Sequence, residues 1–140
     1  MNEKNLRILG EYLISLPDDY KYFDMSDFCK SLAEIRLTPD QAERGKIGDP
    51  LWHAIKAGIK PKSNRAKTSW VDFCYEAMGI SFCGIEGDWC FSPRWELADN
   101  SPQGAGRRIF WLLEHGLPDD WHEQMFAEAE LCYLNYKRKG

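Results

Sequence analysis

The fold is organised around residues 88–121, which read DWCFSPRWELADNSPQGAGRRIFWLLEHGLPDDW and hold four of the six tryptophans. Asn100 or Ser101 can cap a helix here, Pro102 suits its first turn, and Gly116 suits the left-handed residue that ends many helices. Helical spacing of apolar residues predicts one buried stripe, formed by Ala105, Ile109, Leu112 and Leu113. The charged residues of the same helix, Arg107, Arg108 and Glu114, are predicted to face water.

Similar signals predict helices along most of the chain. They cover residues 5–16, with leucines on one side; residues 26–35; a short segment after Thr38; residues 50–58; residues 70–79, capped by Thr68 or Ser69 and ended by Gly79; and residues 118–137. Only residues 80–92 favour strands, because the runs ISFCGI and WCFS flank a Glu-Gly-Asp turn. We therefore predict a mainly α fold of the α+β class, a compact helical single domain of residues 1–140 with a small β-hairpin near residues 80–92.

Charge is distributed unevenly along the chain, whose net charge is −4. Residues 1–70 hold 12 Lys and Arg against 10 Asp and Glu, whereas residues 71–140 hold 6 against 12. An acidic surface favours solubility, and it can also compete for a cationic surface on another protein, because it offers the charge that phosphates would offer. Neither a membrane span nor a leader segment is predicted, so we expect a soluble, cytoplasmic protein.

Lysines and arginines are concentrated in residues 59–68, where no acid and no apolar periodicity occurs. We predict an exposed basic loop or linker carrying Lys60, Lys62, Arg65 and Lys67. This loop, with Arg94, Arg107 and Arg108 and with Trp89, Trp95 or Trp111 as stacking partners, is the basis of one alternative, a nucleic-acid-binding regulator. The net negative charge of the chain argues against that alternative, because nucleic-acid-binding domains are usually basic.

The five cysteines form no regular framework and are predicted to be free, buried thiols. A second alternative is a small hydrolase or nuclease in which Cys74 or Cys90 acts with His115 or His122, or in which the acid pairs Asp18-Asp19 and Asp119-Asp120 act. No local signature supports it, and no ligand spacing supports a metal. We expect no cofactor, no metal and no catalytic residues.

Several segments resemble a family of small, largely uncharacterised proteins of bacteria and their phages. The shared pattern includes FDM at Phe23–Met25, FSPRW at Phe91–Trp95 and AGRRIFWLLEHG at Ala105–Gly116. In place of the family's Cys-Gly-Thr-x-x-Cys element this chain has GDPLWHAIKAG at Gly48–Gly58, so a metal or thiol role of that cysteine pair is not expected here. The resemblance implies a shared fold and a phage or mobile-element origin, and it supplies no catalytic residues.

We therefore expect a non-enzymatic protein-binding module that inhibits or modulates a host nucleic-acid-handling defence complex, in the manner of an anti-CRISPR. The partner would be a host protein or ribonucleoprotein complex. Tryptophan, tyrosine and arginine supply most interface hot spots, and acids would face the basic partner. The predicted partner-binding residues are Asp119, Asp120, Glu123, Glu128, Trp121, Arg107 and Arg108.

Overall fold

The computed structural model describes residues 1–21, 23, 38–44, 50–81, 84–91, 101–117 and 119–120. Over these ranges the chain forms α1 (Glu3–Ser15), α2 (Pro50–Lys56), α3 (Asn64–Thr68), α4 (Trp70–Met78), α5 (Ile85–Phe91) and α6 (Pro102–His115), with a 3-10 helix at Pro39–Arg44. The prediction of a mainly helical fold is confirmed. The helix predicted over residues 26–35 and nearly all of the helix predicted over residues 118–137 lie outside the described residues.

A single core joins the described α-helices. Its largest fully buried side chains are Leu6, Leu9 and Leu13 of α1, Leu51 and Ile55 of α2, Phe73 and Met78 of α4, Phe91 of α5, and Ile109 and Leu112 of α6. Burial of a side chain of this kind contributes about 1.5–3 kcal/mol. The periodic apolar stripes read from the sequence are therefore the faces that meet in the core.

Helices α1 and α6 lie antiparallel and pack very closely. Gln103 near the start of α6 donates a hydrogen bond from Nε2 to the carbonyl oxygen of Leu16 at the end of α1. One turn on, a Cβ placed on Gly106 would lie 2.8 Å from the backbone oxygen of Gly10 and 2.7 Å from Cγ1 of Ile14. The two backbones can approach this closely only because Gly106 has no side chain.

The helix ends are set by capping residues that can be identified in the sequence. The hydroxyl of Ser101 accepts a hydrogen bond from the N–H of Gly104 at 2.9 Å, and Ser69 caps α4 through the N–H of Asp72 at 3.3 Å. Gly79 ends α4 with φ +66 and Gly116 ends α6 with φ +70, both in the region that glycine adopts without strain. These four boundaries are confirmed.

The hairpin predicted near residues 80–92 is not found among the described residues of that segment. Ile85–Phe91 instead form α5, so the prediction of an extended WCFS run is wrong for Trp89, Cys90 and Phe91. All three side chains are buried, whereas a strand would point successive side chains to opposite faces. The aromatic residues suggested a strand, but packing of α5 against α6 overrides that preference.

The basic segment at residues 59–68 is exposed at its four cationic residues, as predicted, but it is not a loop throughout. Residues Asn64–Thr68 form α3, because the hydroxyl of Ser63 accepts a hydrogen bond from the N–H of Ala66 at 3.1 Å. The side chain of Ala66 is buried in the common core. The segment therefore packs against α4 and is not a linker between two halves.

Candidate functional site

One face of α6 carries an exposed tryptophan among charged side chains. Arg107, Trp111 and His115 follow one another at intervals of four residues, so they lie along one side of the helix, and all three are exposed. Glu114 is exposed beside them. We call these four residues the α6 outer face. The indole of Trp111 is 49% exposed, although indoles are highly buried on average.

The aromatic part of the α6 outer face is ordered by contacts within it. The ring centroids of Trp111 and His115 lie 4.3 Å apart with an interplanar angle of 43°. Nε2 of His115 lies 3.8 Å from Oε2 of Glu114. These contacts place the indole, the imidazole and the carboxylate side by side on the surface of the helix.

The rest of α6 supports this face. Its opposite side carries Ala105, Ile109 and Leu112 into the core, and its flank is packed against α1 at Gly106. The part of the helix that carries Trp111 is therefore held from two sides. The α6 outer face is thus a helix surface backed by the core, with a large apolar group on it.

The structure places the predicted partner-binding residues on different parts of the molecule. Arg107 is on the α6 outer face, and Asp119 and Asp120 are exposed in the turn that follows α6. Three more of the predicted residues, Trp121, Glu123 and Glu128, lie outside the described residues. The acids that can be placed therefore lie just beyond the C-terminal end of α6, the end that also carries Trp111, Glu114 and His115.

The prediction that Arg108 faces water is wrong. Arg108 is only 7% exposed, because position 108 belongs to the buried side of the helix with Ala105 and Leu112, which are three residues before it and four residues after it. Its guanidinium acts electrostatically on the thiol of Cys90. Arg108 is therefore part of the interior and does not lie on the α6 outer face.

Sequence reasoning missed Trp111 as a protein-contact residue, because it was considered only as a base-stacking partner. Its position one turn after Arg107, on the side away from Ile109 and Leu112, was the signal that could have identified it. Trp89, considered for the same stacking role, is 6% exposed and offers no open ring face.

The cysteines at the described positions are interior groups. Cys74 and Cys90 are both free and fully buried, and Sγ of Cys74 donates to the carbonyl oxygen of Ile80 at 3.6 Å. Burial raises the pKa of the Cys90 thiol to about 12, against the opposing effect of Arg108. A nucleophilic cysteine needs an accessible thiolate, and neither residue provides one in this structure.

A buried histidine is a second residue that the sequence did not single out. His53 of α2 is 0% exposed, and its Nε2 lies 3.1 Å from the hydroxyl of Tyr20. The rings of Trp52 and Phe23 meet it edge-on at centroid distances of 5.0 and 5.3 Å. His53 is enclosed by aromatic rings, so its role in this structure is to join α2 to the segment after α1.

Among the described ranges of the chain, no three His, Cys, Asp or Glu residues are grouped so that they could hold a metal ion. Of the helices placed in those ranges, none combines the length and the apolar character that a bilayer crossing requires.

Comparison with known proteins finds no matching family model, no matching curated protein and no matching solved structure.

Proposed function

We propose that the protein is a non-enzymatic protein-binding module, and that the α6 outer face with the turn at Asp119 and Asp120 is its partner-binding surface. The observation that carries the proposal is the half-exposed indole of Trp111 on a helix backed by the core. Tryptophan is among the residues most enriched in interface hot spots. Arginine is also enriched in interface hot spots, and Arg107 lies one helical turn before Trp111.

The charges around the indole support a basic partner. Glu114, Asp119 and Asp120 are all exposed near the C-terminal end of α6. This end of a helix carries a partial negative charge and is stabilised by cations, so helix stability does not favour an acid at Glu114. Acids placed there extend a negative surface beside an apolar anchor, which complements a partner with a basic rim around an apolar pocket.

Proteins that handle nucleic acids present basic surfaces of this kind. The most concrete form of the proposal is therefore an inhibitor of a host nucleic-acid-handling defence complex, a host protein or ribonucleoprotein, encoded by a phage or mobile element and acting in the cytoplasm. The family resemblance motivates the origin, and the acidic surface with its tryptophan motivates the mode of action.

Affinity capture from host lysate with tagged variants tests this function. We expect a complex that the wild-type protein retains and that Trp111→Ala loses, because truncation of a hot-spot tryptophan weakens binding about 30-fold or more. The matched control is Tyr75→Ala, since Tyr75 is an aromatic residue of α4 that is 69% exposed. Equal retention by wild type and Trp111→Ala would contradict the assignment of the surface.

Charge reversal tests the electrostatic part separately. Asp119→Lys with Asp120→Lys should abolish retention of the same complex, whereas Glu11→Lys, a reversal of an exposed acid on α1, should leave it intact. Light scattering of the free protein addresses a third outcome. If Trp111→Ala converts a dimer into a monomer, the surface is occupied by a second copy of the chain and the host-partner proposal is wrong.

A further inference from the structure

We draw no further inference here: the strongest candidate, the cavity of about 300 Å³ between the first turn of α1, the turn after α2 and the last turns of α4, assigns no ligand, because no contact among the described residues brings the ammonium groups of Lys4, Lys60 and Lys62 together.

Discussion

Substitution of Gly106 by alanine should destabilise the protein, although alanine is the better helix former. In a helix interior the change from glycine to alanine favours folding by about 1 kcal/mol. Against this, the new methyl group would lie 2.8 Å from the backbone oxygen of Gly10 and 2.7 Å from Cγ1 of Ile14. Both distances are well inside ordinary contact, and the first obstacle is backbone, so α1 and α6 must move apart.

Overpacking of this kind costs about 1–3 kcal/mol of stability. Because two close contacts occur at one helix crossing, we expect the cost of Gly106→Ala to lie near the upper end of that range. The net loss is then about 2 kcal/mol, or about 7 °C in Tm for a chain of this size. Urea unfolding followed by circular dichroism gives the free energy directly.

The matched control is Gly10→Ala on the other side of the same crossing. Its methyl group would lie 3.0 Å from Cε2 of Phe110 and 3.4 Å from Cγ2 of Ile109, so it meets side chains that can shift by a few tenths of an ångström. The small overpacking cost and the propensity gain should then cancel to within about 0.5 kcal/mol. If Gly106→Ala is as stable as Gly10→Ala, the close backbone approach of α1 and α6 is wrong.

Three further predictions concern buried and ionised groups. Arg108→Ala should cost about 2 kcal/mol or more in urea unfolding, because it removes a buried side chain, whereas Arg107→Ala should stay within about 0.5 kcal/mol of wild type; equal values would contradict the burial of Arg108. Cys74 and Cys90 of the native protein should resist alkylation at pH 8, whereas both should react in the denatured protein, as measured by peptide mass spectrometry. Rapid labelling of the native protein at either cysteine would contradict their burial. The folded-state pKa of the Glu76 carboxyl lies below its usual 4.5, because the carboxylate accepts hydrogen bonds from the backbone N–H groups of Lys62 and Ser63, so the stabilising effect of the ionised carboxylate is present above pH 4.5 and is lost as the pH falls through the lowered pKa. The difference in unfolding free energy between wild type and Glu76→Gln should therefore shrink on acidification. A difference that does not change with pH would contradict the lowered pKa.

Helix positions were predictable wherever local signals and core packing agree. The caps at Ser69 and Ser101 and the stops at Gly79 and Gly116 are short-range features that need no knowledge of the fold. The prediction of a hairpin was wrong because the three successive buried residues of α5 are of types that favour a strand. The helix forms because this segment packs against α6, which the local sequence does not show. Helix α3 was missed because a single turn is too short to show periodicity.

The candidate surface was predictable only in part. The exposure of Arg107, Asp119 and Asp120 follows from their charge, but the same reasoning misplaced Arg108, whose helical position outweighs its charge. The exposure of Trp111 is a tertiary property, since it depends on which side of α6 meets α1 and the core.

Site-specific photo-crosslinking in host cells tests the central proposal most directly, with a benzoylphenylalanine placed at position 114 in one variant and at position 75 in the other, so that Trp111 stays in place in both. Both positions are exposed, on α6 and α4 respectively. We expect position 114 to crosslink to one host protein and position 75 to give no crosslink to it. Crosslinking of the same protein from position 75 alone, or from neither position, would contradict a partner-binding role for the α6 outer face.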